Sequence, residues 1–174
     1  DFSGGLSWTY SLTESNLASN DQKSFNAGVA FHHINKPKQG FGNPEALVKE
    51  GKDMYGRIVA HGGAYIGIQS FHTALLPSFI YMQQGPSKEV NFGILIRYAI
   101  KEESKVTGIF KETAILFGGY YRAGDAFIPS VMLEYANFAL GVTYDINVSA
   151  LKAASNAQGG IEISLRYLTP NPFS

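Results

Sequence analysis

The sequence has 174 residues, enough for one domain, and its 14 basic and 14 acidic side chains give a net charge of zero. The zero net charge removes the electrostatic argument for nucleic-acid binding, and the lack of cysteine excludes a disulfide framework and a thiolate metal site. Charged residues make up 16% of the chain, against about 25% in ordinary soluble domains, whereas aromatic residues make up 13% and there are 19 glycines. This composition favours a membrane β-barrel over a soluble core.

The start of the chain bears on how complete the barrel is. No apolar run of about 18 residues occurs, so the sequence predicts no transmembrane helix. The chain begins at Asp1, directly before a predicted strand, and carries no signal peptide. We interpret it as a processed chain, or as a fragment whose first strands are missing.

Apolar and small or polar residues alternate along most of the chain, which is the pattern of a β-strand. In residues 90–100, Phe92 and Ile94 fall on one parity, whereas Gly93 and Arg97 fall on the other. A segment of this length is what a tilted strand needs to cross a bilayer. The nine predicted strands cover residues 2–12, 25–32, 54–68, 74–83, 90–100, 115–121, 127–135, 138–147 and 161–167.

The connections are mostly short, so neighbouring strands are expected to be adjacent and antiparallel. Asn137 and Phe138 are predicted to form a two-residue turn. Pro77 and Pro129 lie within predicted strands, and both are expected to mark bulges or strand ends. Counting back from a periplasmic C-terminus places residues 35–53 and 150–159 outside the cell, and residues 13–23, 69–73 and 101–108 in the periplasm.

The predicted fold is all-β, an antiparallel transmembrane β-barrel of the outer-membrane type, with residues 1–174 forming one domain. Single-chain bacterial barrels use even strand numbers, so nine strands are interpreted as the C-terminal part of a larger barrel. Two other interpretations remain open: a passive outer-membrane channel for small solutes, and a soluble β-sandwich or lipocalin-like ligand binder. Outer-membrane lipids are the expected surroundings of the barrel. The residues predicted to face lipid are Phe92, Ile94, Ile96, Val142, Tyr144, Ile163 and Leu165.

Ionisable residues of the opposite parity are predicted to face the lumen of the barrel. They serve either as a selectivity or docking surface or as ion pairs that neutralise one another, and we favour the ion pairs. Asp145 and Arg166 lie on hairpin partners and are expected to be near diagonal neighbours. The predicted lumen-facing residues are Arg57, His61, Arg97, Arg122, Glu134, Asp145, Glu162 and Arg166.

The sequence predicts no catalytic residue, no cofactor site and no metal site. No Gly-x-Ser-x-Gly nucleophile elbow occurs. His32 and His33 are adjacent, so a strand sends them to opposite faces and they do not chelate one metal together.

Five segments in order resemble the PorP/SprF family of type IX secretion outer-membrane proteins. They are 26–37 (NAGVAFHHINKP), 76–81 (LPSFIY), 118–122 (GGYYR), 140–145 (LGVTYD) and 159–167 (GGIEISLRY). The resemblance implies a barrel of about fourteen strands. It also implies a role in secreting or anchoring large surface proteins, such as gliding adhesins. The implied partners are other secretion components and a secreted surface protein, and no catalytic residue is implied.

The longest connection, residues 35–53, is the predicted docking element. It contains glycines and an aromatic residue on an exposed loop, where binding residues often lie. The alternative is that this loop folds back to cap the lumen. The candidate docking residues are Lys38, Phe41, Asn43 and Pro44.

Overall fold

The computed structural model describes residues 1–12, 22–39, 52–68, 71–101, 113–149 and 158–169. Within these ranges no helix has the length and hydropathy to cross a membrane. The regular elements of the described ranges are all strands. They are β1 (Gly4–Leu12), β2 (Lys23–His32), β3 (Lys38–Gln39), β4 (Lys52–Asp53), β5 (Arg57–Ile68), β6 (Thr73–Gln84), β7 (Ser87–Lys101), β8 (Thr113–Arg122), β9 (Ala126–Tyr135), β10 (Phe138–Asn147) and β11 (Gln158–Tyr167).

Nine of the strands form one antiparallel sheet in the order β1-β2-β5-β6-β7-β8-β9-β10-β11. The short strands β3 and β4 pair only with each other, between β2 and β5 in sequence. All nine predicted strands are therefore present, and each lies beside its neighbour in sequence. In the described ranges β1 and β11 each pair with a single neighbour, so they are the two edges of the sheet. The predicted all-β, antiparallel architecture is confirmed.

The two faces of the sheet differ in how they are covered. The outer face carries large apolar side chains that remain exposed; Ile94, at the middle of β7, is 43% exposed. A soluble β-sandwich would bury such a face against a second sheet. The seven residues predicted to face lipid all lie on this outer face, and all but Ile96 are exposed. The opposite face, called the inner face, carries the buried side chains: Ala74, Leu95, Ala114, Leu116, Ala126, Ile128, Ser130 and Ala139.

Tight hairpins extend several strands beyond their predicted ends. Gln84 pairs with Ser87, so β6 and β7 continue up to the two-residue turn Gly85–Pro86. Gly85 has a φ of 57°, a left-handed conformation that glycine adopts without a steric cost. As a result β7 begins at Ser87, three residues before the predicted start of that strand.

The predicted turn at Asn137–Phe138 is wrong by one residue. Tyr135 pairs with Phe138, so the turn consists of Ala136 and Asn137. Ala136 has a φ of 52°, a conformation in which an alanine is uncommon, so the residue types at this position do not indicate the turn. The predicted alternation survives, because Tyr135 and Leu140 still share the outer face.

The prediction that the two prolines mark bulges or strand ends is also wrong. Pro77 lies inside β6 opposite Ile94, and Pro129 lies inside β9 opposite Gly119. Towards the other neighbouring strand, β5 for Pro77 and β10 for Pro129, the backbone pairing is interrupted and then resumes in the same register. Beside Pro77 the β5–β6 pairing is interrupted between Gly63↔Ser78 and Ile66↔Leu75. Beside Pro129 the β9–β10 pairing is interrupted between Thr143↔Ser130 and Ile146↔Phe127. Proline has no N–H to donate, so a gap in the ladder on one side accommodates it without a change of register.

Candidate functional site

The inner face is the candidate site, because its ionisable side chains come from strands that are far apart in sequence. The register of the strands places all eight of the predicted lumen-facing residues on this face. The hairpins at 85–86 and 123–125 mark one end of the sheet, and the hairpin at 136–137 marks the other. We refer to these as the 85–86 end and the 136–137 end.

Near the 136–137 end, one carboxylate is shared by two guanidinium groups. Glu134 Oε2 lies 2.8 Å from Arg97 Nε, and Glu134 Oε1 lies 2.9 Å from Arg166 Nη2. The three residues come from β9, β7 and β11, and we call them the Glu134 cluster. The cluster thus brings two guanidinium groups to one carboxylate. Its Arg166 side chain is 53% exposed, so it presents N–H donors on the inner face.

Small residues beneath these side chains make the cluster possible. Ala139 of β10 pairs with Glu134 on one side and with Arg166 on the other, so the ion pair passes above an alanine. Ala114 of β8 pairs with Glu134 from the opposite side and is fully buried. Strands two apart are separated by roughly 9.6 Å, a distance that arginine and glutamate bridge together only where the residue between them is small.

Near the 85–86 end, one guanidinium meets three carboxylates. Arg122 Nη1 lies 3.0 Å from Asp125 Oδ2 and 3.4 Å from Asp145 Oδ2, and Arg122 Nε lies 3.9 Å from Glu89 Oε1. These four residues form the Arg122 cluster, which carries a surplus of negative charge. The fully buried Ala126, which pairs with Arg122, has the same role as the alanines under the Glu134 cluster.

The predicted proximity of Asp145 and Arg166 is wrong. Arg166 pairs with Ala139, which lies six residues before Asp145 on the same strand, so the two charges are roughly 20 Å apart. Each instead contacts a residue two strands away: Asp145 contacts Arg122, and Arg166 contacts Glu134.

Two members of the Arg122 cluster were missed by the sequence analysis. Glu89 has the same parity as Arg97 and would have been found had the predicted strand been extended to Ser87. Asp125 is three residues beyond Arg122 in a tight turn, and only the closing of that turn brings them together.

The remaining predicted residues lie apart from both clusters. Arg57 donates from Nη2 to Met82 Sδ at 2.9 Å. The His61 ring lies over Gly28, where an added Cβ would be 2.5 Å from Nε2. Glu162 is paired with Thr143 across β10 and β11.

No group of three His, Asp or Glu side chains in the described part of the chain is placed to hold a metal ion. Of the predicted docking residues, Lys38 lies in β3 opposite Asp53. Phe41, Asn43 and Pro44 lie outside the described residues.

A family model supports the resemblance seen in the five segments. The model described as "Type IX secretion system membrane protein PorP/SprF" matches residues 1–167. No curated protein and no solved structure matches the chain. Proteins of this family are outer-membrane components of the type IX secretion system, and membership implies interaction with other components of that system. The outer face of the sheet is thus the face that lies against lipid. The chain belongs to the PorP/SprF family of type IX secretion system membrane proteins.

Proposed function

We propose that the protein holds a secreted surface protein, or a periplasmic component of the secretion machine, against its barrel wall and turns over no substrate. The observation that carries the proposal is the family match over residues 1–167. Large surface proteins such as gliding adhesins are the proposed cargo, and the wall provides an anchor in the outer membrane.

The charge arrangement of the inner face supports a docking role. Guanidinium groups outnumber carboxylates in the Glu134 cluster near one end of the sheet, and carboxylates outnumber the guanidinium group in the Arg122 cluster near the other. Opposite charges at the two ends orient a partner of complementary charge and suppress the reverse orientation. The ion pairs within each cluster neutralise part of the charge, and a partner meets the rest.

The connection between β2 and β5 supports a second contact with cargo. Its base is tied to the start of the chain: His33 Nδ1 lies 2.7 Å from Asp1 Oδ2, and Asn35 Oδ1 accepts a hydrogen bond from Phe2 N at 3.0 Å. The β3–β4 ladder then joins the two arms of the connection. Residues 40–51 lie between these two arms in sequence, and a loop held on a firm base is a common place for binding residues. We propose Lys38, Phe41, Asn43 and Pro44 as the contact residues.

The absence of turnover is part of the proposal. It rests on the sequence, which has no nucleophile elbow, and on the residues of the described ranges, where no metal-binding group occurs. The proposed role is therefore binding and anchoring.

The test is a loop replacement followed by co-purification from native membranes. Residues 41–50 are replaced by a Gly-Ser linker of equal length, which keeps the β3–β4 ladder and the barrel wall. We expect the barrel to assemble, other secretion components to co-purify and the surface cargo to be released. A matched control exchanges residues 152–156, in the connection between β10 and β11, for the same kind of linker and should retain the cargo.

Two results contradict the proposal in different ways. If the cargo stays attached and secretion is normal, the 35–53 loop has no docking role. If no secretion component co-purifies with the unmodified protein, the docking function itself is wrong, and conductance measurements then test the passive channel.

A further inference from the structure

An open groove of about 530 Å³ crosses the outer face between β1 and β7. Trp8, Phe25, Phe79 and Phe92 form its walls, and each of these aromatic side chains is more than a third exposed. Between the walls, the floor consists of small or compact residues. The floor residues on the outer face are Ala27, Gly62, Ala64 and Pro77.

The register of the strands explains why a groove forms here. One row across the sheet reads Trp8, Ala27, Gly62, Phe79 and Phe92, so two small residues lie between large rings. The Phe79 ring leans over the glycine, and an added Cβ on Gly62 would lie 2.6 Å from Phe79 Cε1. In the next row Phe25 of β2 pairs with Ala64 of β5, beside the proline at which the β5–β6 ladder lapses. Small side chains are thus concentrated on β5 at mid-strand.

A cation lies on the same face just beyond the groove. Lys23 is exposed, two residues before Phe25 on β2, and its strand partners are Leu12 and Ile66. Among the described residues, no carboxylate forms an ion pair with it. Tyr10 pairs with Phe25 and stacks with Trp8, with ring centroids 5.9 Å apart. A lysine and aromatic residues together at the end of a lipid-facing strand are typical of the level of the lipid headgroups.

We propose that this groove binds one acyl chain of an anionic phospholipid of the surrounding membrane, with the headgroup phosphate against Lys23. The lining offers an acyl chain apolar contact on its sides and floor, and the lysine matches the charge of the phosphate. The apolar lining and the neighbouring cation together match the acyl chain and the phosphate of one phospholipid.

Trp8 makes the proposal measurable, since it is the one tryptophan of this sequence and lies in the groove wall. The protein is reconstituted in phosphatidylcholine vesicles that contain a small fraction of phosphatidylglycerol with brominated acyl chains, which quench tryptophan fluorescence on contact. A Trp8→Phe variant supplies the background signal. We expect brominated phosphatidylglycerol to occupy the site about five times more readily than brominated phosphatidylcholine, the preference that one basic residue near the surface provides.

Two pairs of variants separate the groove from the rest of the outer face. Ala64→Leu fills the floor and should abolish the excess quenching, whereas Ala60→Leu, the same change on the same strand and face but outside the groove, should not. Lys23→Gln should reduce the preference for phosphatidylglycerol about fivefold, whereas Lys88→Gln, on the same face at the 85–86 end, should leave it unchanged. Equal quenching by the two brominated lipids, or loss of quenching in Ala60→Leu as large as in Ala64→Leu, overturns the proposal.

Discussion

At the scale of single residues, Glu134 is the side chain on which the inner face depends most. It accepts hydrogen bonds from two arginines on two other strands, and its own side chain is only 21% exposed. A partly buried carboxylate with two charged partners contributes more than a surface ion pair, since less of its interaction is screened by water. Removing its charge takes away the carboxylate that both guanidinium groups contact.

We predict that Glu134→Gln lowers the free energy of unfolding by about 2 kcal/mol. The measurement is urea unfolding of the protein folded in phospholipid vesicles. Glu162→Gln is the matched control, because Glu162 lies on the same face but has Thr143 as its strand partner, and its effect should stay within about 0.5 kcal/mol. Equal losses in the two variants would mean that the Glu134 cluster adds nothing to stability.

The outer face provides a second test at the residue scale. Ile94 lies at the middle of β7 and is exposed on the outer face, so Ile94→Arg should destabilise the protein by about 2–4 kcal/mol. Val90→Arg, on the same face but nearer the strand end, should cost about 0–1 kcal/mol, since the cost of a charge falls towards the interface. Unfolding in vesicles measures both values. Similar costs at the two positions would contradict a lipid boundary with its midplane near Ile94.

Gly93 is a poor comparison for Ile94, although it lies on the inner face. A Cβ on Gly93 would meet the Tyr120 ring and the Gly119 carbonyl oxygen at 2.4 Å. Any substitution there tests packing rather than the effect of charge facing the lumen.

At the scale of elements, the hairpins determine where the strands end. Gly85 and Gly124 both have positive φ, 57° and 75° respectively, in turns at the same end of the sheet. They differ in their surroundings. An added Cβ on Gly85 would lie 2.7 Å from the Tyr55 ring, whereas an added Cβ on Gly124 meets no atom within 4 Å.

This difference predicts unequal costs for the same substitution. Gly124→Ala should lower the free energy of unfolding by about 1 kcal/mol, which is the cost of the left-handed conformation alone. Gly85→Ala should cost at least about 1 kcal/mol more, because the Tyr55 ring must also move. Unfolding titrations of the two variants give the comparison, and a Gly85→Ala cost no larger than that of Gly124→Ala would show that the ring contact is without consequence.

The two proline strands are a second feature at this scale. Pro77 follows a leucine and precedes a serine, and Pro129 stands between an isoleucine and a serine. Both interrupt the ladder to one neighbour while they pair with the other. Similar local sequences in β6 and β9 thus accommodate the missing proline N–H in the same way, by an interruption of the pairing on one side of the strand.

At the scale of the whole molecule, the two ends of the sheet carry different groups of charged residues. The Arg122 cluster and the base of the 35–53 loop lie at the 85–86 end, and the Glu134 cluster lies towards the 136–137 end. If the C-terminus is periplasmic, the 85–86 end faces outward, because every turn reverses the direction of the chain. The proposed cargo contact and the excess negative charge then lie at the cell surface.

Cysteine labelling tests this orientation, and the chain contains no native cysteine to interfere. A Lys38→Cys variant should react with a membrane-impermeant reagent in intact cells, whereas a Ser104→Cys variant should react only after the outer membrane is opened. Labelling at position 104 but not at position 38 in intact cells would reverse the topology.

The assignment of residues to the two faces was determined by the sequence alone. Successive side chains leave a strand on opposite sides, so parity within a strand is a local property that needs no knowledge of neighbouring strands. For this reason the alternation alone assigns Arg57, Glu134 and Arg166 to the same face, without knowledge of their partners. The family was also readable from the sequence, because its short segments occur in order along the chain.

Which charges meet was decided only by the tertiary structure. Arg122 reaches Asp145, and Glu134 joins Arg97 to Arg166, each time across an intervening strand that carries an alanine. Contacts of this kind depend on the registers of two successive strand pairs, and an error of one residue at the Ala136–Asn137 turn changes those that cross from β9 to β10, such as Glu134 with Arg166. The sequence specifies the faces because pleating is local, and only the assembled sheet specifies the partners because register is cumulative.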